Sequence, residues 1–195
     1  TAMVDLDAKL LNATGILFCE GYVWDSPTAR AAFLEAAARV KSGGGRIGFS
    51  LSDTFCVERH KPEFLDLFAR DIDILLANFA EAQALLDVTD MADIIAAMQN
   101  AGVDGAITCG EEGAVIVRGD EAVRVDAHAV ETVTDLTGAG DQFAAGYLCG
   151  VARGRSAQTC GRMGALTAAE VIQHFGPRPE KDLRAVFAEH GFKIS

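Results

Sequence analysis

At 195 residues the chain has the length of one domain, and with half of its residues hydrophobic and 23% charged it can fill a sizeable core. A formal net charge of −11 sets it against phosphate backbones and anionic bilayers, which excludes nucleic acid and membrane surfaces as expected partners. A small phosphorylated ligand stays open to it, because a local nest of backbone N–H groups can bind one on an acidic protein.

The opening, TAMVDLDAKLL, has no initiating Met, which reads as trimming or as an excerpt. GILFCEGY (15–22) is a short apolar run ending in Gly, the pattern of a buried strand. SPTARAAFLEAAARVK (26–41) starts with the Ser-Pro chemistry of a helix entry and is stopped by Gly43, Gly44 and Gly45. That glycine cluster follows a helix and precedes a strand, so it reads as a C-cap and turn, and no G-x-x-x-x-G-K-[ST] occurs anywhere.

RIGFSLSD (46–53) reads as a strand, the segment near 61–69 as a helix, DILLANF (73–79) as a strand, and EAQALL (81–86) and MADIIAAMQ (91–99) as helices. Four β-rich runs follow: DGAITC (104–109), GAVIVR (113–118), EAVRV (121–125) and ETVTD (131–135). Helices are expected at about 141–153, 156–175 and 180–189. Strands alternating with helices predict one compact α/β domain with a largely parallel sheet, and the strand cluster at 104–135 adds a hairpin-like portion.

The five cysteines, Cys19, Cys56, Cys109, Cys149 and Cys160, are scattered, with no C-x-x-C pair and no zinc-ligand spacing. Free thiols in a reducing compartment, no leader peptide and no bilayer-length apolar run together give a cytoplasmic expectation. His60, His128, His174 and His190 are isolated, and the expectation for His174 is a satisfied structural side chain.

The chemistry concentrates at DLTGAGD (135–141). Phe143, Ala144, Tyr147, Leu148 and Val151 recur at helical spacing after it, so the loop sits at a helix N-terminus with unsatisfied N–H groups. Those donors favour an anion, and Gly138 and Gly140 let a bulky one approach the backbone. Asp141 has two readings, a first-turn cap or a general base beside an anion site. Phosphoryl transfer to an alcohol needs the second arrangement: a cradle for developing charge and a base for the hydroxyl proton.

TCGEEG (108–113) reads either as a glycine turn between two strands or as backbone and hydroxyl groups of Thr108, Gly110 and Gly113 facing a nucleotide phosphate. NFAE (78–81) lies at the C-terminal end of a strand, where open α/β sheets place ligands. Asn78 either caps the next helix or, with Glu81, holds hydrated Mg²⁺.

In this order the three motifs resemble the C-terminal half of the ribokinase-like family of carbohydrate and purine kinases, which carries D-T-x-G-A-G-D, an upstream N-x-x-E and T-x-G-x-x-G between them. The resemblance covers nearly the whole chain, and CGRMGALTAAEVIQHFGPRP (160–179) and FSLSDTF (49–55) look most like the adenosine-kinase-like branch. It implies a three-layer sandwich with a mostly parallel central sheet, whose N-terminal strands and β-lid are absent from this chain. It also implies an ATP-dependent kinase acting on a primary hydroxyl of a nucleoside or sugar.

By the same resemblance Asp141 is the base, Gly138, Ala139 and Gly140 form the anion hole, and Asn78 and Glu81 organise Mg²⁺ through waters. Thr108, Gly110, Gly113, Gly164 and Ala168 would lie along ATP, and Asp135 and Thr137 would hold a monovalent cation such as K⁺. Leu136 replaces the family's usual threonine. A homodimer through the lid is the implied assembly. A non-catalytic nucleotide- or sugar-binding regulator on the same fold is the alternative. A dinucleotide-binding dehydrogenase is not supported, for want of a G-x-G-x-x-G at a first strand–helix turn.

Overall fold

The computed structural model describes residues 7–194. The fold is a three-layer α/β arrangement whose sheet has six strands in the order β1-β2-β3-β4-β5-β6, mostly parallel. The strands are β1 Ile16–Glu20, β2 Arg46–Ser50, β3 Ile74–Asn78, β4 Asp104–Thr108, β5 Ala114–Arg118 and β6 Glu121–Val125. Eight α-helices lie among the described residues: α1 Ala8–Asn12, α2 Pro27–Ser42, α3 Thr54–Arg70, α4 Phe79–Leu86, α5 Met91–Ala101, α6 Ala139–Ala152, α7 Ala157–Val171 and α8 Leu183–Glu189. Contacts divide the chain into two compact units, one running to Gly105 and including Val117–Glu121, the other comprising Ala106–Ile116 and the chain from Ala122 onward.

In the first unit β1, β2 and β3 are joined by the sequence-predicted helices, so β1 pairs with β2 and β2 with β3 in parallel, Phe18 opposite Gly48 and Phe49 opposite Leu75. Such strands are covered on both faces and read as apolar runs, as Ile74, Leu75, Leu76 and Ala77 do, all four buried. The core is aromatic. Trp24 meets Phe33, Phe49 and Phe64 edge-on at centroid distances of 5.5, 5.3 and 5.7 Å, and Phe49 meets Phe64 at 5.1 Å. Each such contact contributes about 0.5–1.5 kcal/mol beyond the area it buries.

Two elements differ from the expectation. α1 forms where no helix was predicted, because Asp7 accepts from the N–H groups of Lys9 and Leu10 at 2.8 and 3.3 Å. α3 begins at Thr54, seven residues before the expected start at 61, because Asp53 caps it by accepting from Cys56 N–H at 2.6 Å. A kink at His60 (φ −118°) separates that first stretch from the part after Pro62, whose ring and missing N–H break the ladder.

The second unit is built on α6 and α7. Their contact runs along glycines: a Cβ at Gly150 would lie 2.9 Å from Cys160 Sγ, one at Gly164 2.9 Å from the Phe143 carbonyl, and one at Gly146 would collide with the Met163 carbonyl. On the other side, a Cβ at Gly161 would press on Ile116 and Val125 at 2.7 and 2.8 Å. Only hydrogen fits at these positions, so the helices approach closely. Met163, Leu166 and Phe187 form a buried cluster with Leu183 of α8 packed against it.

The expected strand at 131–135 does not form. The N–H groups of Thr134 and Asp135 both donate to the Ile172 carbonyl, at 2.8 and 3.3 Å, and the Thr134 hydroxyl donates to Gln173 O at 2.9 Å. Backbone groups engaged by the end of a helix cannot also form a ladder.

Candidate active site

The glycine loop opens α6. Gly138 is its N-cap with φ +80°, a left-handed conformation that a side chain resists, and a Cβ there would stand 2.6 Å from Pro177 Cβ. The first intrahelical bond runs from Gln142 N–H to Gly138 O at 2.9 Å, and Ala139 N–H turns back to Leu136 O at 3.1 Å. Among the described residues, the N–H groups of Gly138, Gly140 and Asp141 have no acceptor; Ala139, expected in the anion hole with Gly138 and Gly140, has its N–H engaged by Leu136 O instead. Three donors thus stand free at the positive end of a 14-residue helix, and a Cβ on Gly140 would meet nothing within 4 Å. Asp141 is exposed in the first turn, and no side-chain capping bond is present at this helix start. Asp141 does hold the first-turn place that the capping reading required, with its charge at the positive end of the helix and its side chain making no hydrogen bond among the described residues.

Asp135 holds the loop from its other end. Its Oδ1 accepts from the backbone N–H and the hydroxyl of Thr137 at 2.9 and 2.6 Å, and its Oδ2 from Gly176 N–H at 3.0 Å. The Thr137 hydroxyl, then the Gly176 and Thr137 N–H groups, stabilise the ionised form and draw its pKa down to about 2. Gln142 Nε2 donates to Pro177 O at 3.1 Å, so loops 134–138 and 172–177 are bound at several points. With three donors already on Asp135, a monovalent cation would have to use its remaining lone pairs and neighbouring carbonyl groups.

In the same unit, the TCGEEG turn is closed by Cys109 N–H to Gly113 O at 2.7 Å and Gly113 N–H to Gly110 O at 3.1 Å. Gly113 (φ +88°) is required by packing, since a Cβ would collide with the Val125 carbonyl, whereas Gly110 (φ +59°) opens on empty space. Thr108 ends β4. Gly164 is buried against Phe143 and so serves the α6–α7 contact, and Ala168, one turn later, is half-buried. A cavity of about 350 Å³ lies along α7, lined by Arg124, Val125, His128, Arg162, Ala165 and His190 among others. Sequence reasoning missed it, because its two arginines and two histidines are scattered over some 66 positions and share no motif.

In the first unit, Asn78 and Glu81 form a closed capping box. Asn78 Oδ1 accepts from Glu81 N–H at 2.8 Å, while Glu81 Oε2 and Oε1 accept from the Asn78 backbone and side-chain N–H groups at 2.9 and 2.7 Å. Glu81 is buried, and desolvation pushes its pKa up, with a further contribution from the charge of Asp53. Asp53 in turn accepts from the Tyr22 hydroxyl, which drives the Tyr22 pKa up to about 12 and that of Asp53 down. Each Glu81 oxygen carries one donor and keeps a lone pair, which suits contact with a metal through water. Among the described residues no cluster of three or more His, Cys, Asp or Glu side chains has the makings of a direct metal site. No helix among them is long and apolar enough to cross a membrane.

The glycine loop thus presents an anion-receptive helix start in an α/β fold, and comparison with known proteins identifies the family. The model of the pfkB family of carbohydrate kinases matches residues 2–183, and the chain belongs to that family. It is 32% identical over 160 residues to 2-dehydro-3-deoxygluconokinase of Escherichia coli, covering 77% of this chain and 51% of that one. It superposes on the crystal structure of adenosine kinase from Sinorhizobium meliloti with a TM-score of 0.91 and 40% identity, covering 95% of this chain and 57% of that one. An E. coli protein provisionally named Ribokinase II, solved with ATP and Mg²⁺, shares the fold at a TM-score of 0.83 and 23% identity, over 95% of this chain and 61% of that one. The chain thus spans about half the length of the curated relatives it matches.

Proposed function

We propose that the protein carrying this chain is an ATP-dependent kinase that phosphorylates a primary hydroxyl of a nucleoside or sugar. The observation that carries this reading is the start of α6: free N–H groups of Gly138, Gly140 and Asp141 beside an exposed, uncommitted carboxylate. In the proposed reaction the Asp141 carboxylate takes the hydroxyl proton, and the alcohol oxygen bonds to the γ-phosphorus as its bond to the β-bridging oxygen breaks, releasing ADP. The free N–H groups and the helix dipole stabilise the charge that gathers on the γ-phosphoryl oxygens during transfer.

The TCGEEG turn is assigned to ATP, with Gly110 the point where the backbone stands open; the cavity along α7 is lined by none of the residues expected along ATP and is not assigned to it. Asn78 and Glu81 are assigned to Mg²⁺ through its waters, and Asp135 and Thr137 to K⁺. Mg²⁺ would supply charge neutralisation on the phosphates. Adenosine is the first acceptor to test, on the likeness to the S. meliloti adenosine kinase, and a sugar is the second, on an equal likeness to a Rhizobium etli protein named as a probable sugar kinase, 39% identical over 96% of this chain with a TM-score of 0.92.

The test is ADP release by the full-length protein with Mg-ATP and adenosine, ribose, fructose or 2-dehydro-3-deoxygluconate, alongside Asp141→Asn. Adenosine-dependent turnover that falls about 10²–10⁴-fold in the variant, with ATP affinity kept, is the expected result. An active Asp141→Asn enzyme would remove the base assignment, and turnover with a sugar alone would replace the acceptor.

A further inference from the structure

Glu170 is an acid in a place that disfavours acids. Its side chain is 3% exposed near the end of α7, and one carboxylate oxygen, Oε1, accepts from Glu180 N–H at 3.0 Å, Lys181 N–H at 2.9 Å and His174 Nε2 at 3.3 Å. Its other oxygen and His174 Nδ1 are buried with no hydrogen-bond partner among the described residues. Glu180 Oε1 stands 3.9 Å from that nitrogen, on the solvent side. A half-satisfied buried pair is poor value as a stabiliser, since apolar side chains of similar volume do as well or better.

What the pair does accomplish is geometric. Glu170 grips the chain at 174 and again at 180–181, and so closes the loop between them into one shape. That loop and the residues just before it supply most of the ties on the glycine loop and the start of α6, the Thr167 hydroxyl adding one more by donating to Gln142 O at 2.5 Å. Ile172 O takes Thr134 and Asp135 N–H, Gly176 N–H goes to Asp135, Pro177 O takes Gln142, and the Pro177 ring fills the space against Gly138.

We propose that Glu170 and His174 are positioning residues for phosphoryl transfer: they act through loop 174–181 to hold Asp135 and Gly138, and thereby the free N–H groups ahead of α6, in reactive geometry. The inference rests on the reading of the glycine loop as an anion hole. Displacing such donors by as little as about 1 Å costs on the order of 10²-fold in rate, whereas ground-state substrate binding tolerates it.

The experiment compares Glu170→Leu, Glu170→Gln and His174→Leu in the full-length protein, reading steady-state kinetics, thermal midpoint and hydrogen exchange of peptides spanning 131–142. Glu170→Leu is expected to lower kcat at least about tenfold with KM for ATP within about threefold, to keep the thermal midpoint, and to speed exchange across 131–142. Glu170→Gln retains an acceptor oxygen for the two backbone donors and is expected to restore most of the rate and protection. His174→Leu should fall between the two. A Glu170→Leu protein that loses thermal stability but keeps kcat and protection at 131–142 would overturn the proposal, as would equal losses in the Gln and Leu variants. The exchange result does not depend on turnover, so an active Asp141→Asn enzyme would sink the active-site reading while leaving the control of the loop to be judged by exchange.

Discussion

Gly138 and Gly140 stand two residues apart in one motif and are glycine for different reasons. Gly138 is fixed by its own backbone and by Pro177 at 2.6 Å, so Gly138→Ala should destabilise the second unit by about 1–3 kcal/mol, read as a lower midpoint in urea. Gly140 has open space where a Cβ would go, so Gly140→Ala should leave the midpoint unchanged and depress turnover, because the methyl group would occupy the approach to the free N–H groups. Asp135 makes a prediction in pH. Its pKa is about 2 in the folded state, below the ordinary carboxylate value, so its contribution to stability is complete above pH about 4 and is lost as pH falls through about 2. The stability gap between wild type and Asp135→Asn should therefore be constant from neutrality to about pH 4 and close below it; a gap that already shrinks near pH 6 would assign the loss to another group.

At the scale of elements, α4 is held at its start by the Asn78–Glu81 box, and Asn78→Ala should cost about 1 kcal/mol of stability whatever the metal does. If both residues also serve Mg²⁺ through water, the same variant should raise the Mg²⁺ concentration for half-maximal rate; unchanged Mg²⁺ dependence would leave the pair as a cap only. Most elements were legible in the sequence because they carry local punctuation: Ser26-Pro27 before α2, Asn78 before α4, Asp90 before α5 and Ser156 before α7 each appear as the N-cap. What was illegible is tertiary. Residues 131–135 have the composition of a strand, but their backbone donors are taken by the last turn of α7, about forty residues away. The early start of α3 depends on an Asp cap ahead of a Pro that by itself suggests a later one. The three motifs of the candidate site could be picked out by residue type, yet the loop that holds DLTGAGD in place, and the cavity along α7, are made of residues with no shared spacing.

For the molecule as a whole, β1 ends the sheet as described, and its Phe18 is 39% exposed, so the strand offers an open ladder with apolar character. The 195-residue chain expressed alone is expected to self-associate through it, and Phe18→Lys should shift its elution in size-exclusion chromatography toward monomer; no shift would direct attention to other exposed apolar side chains such as Phe175, at 83%. The glycine contact between α6 and α7 carries a different consequence, for how mutational maps of this protein should be read. If every position were replaced in turn and variants ranked by survival, Gly146, Gly150, Gly161 and Gly164 would form a stripe as intolerant as the glycines of DLTGAGD, although the stripe touches only its neighbouring helix and strands. Intolerance alone would then overstate the extent of the ligand site. The two sets separate by what is lost: soluble yield for the helix contact, and turnover at normal yield for Gly140.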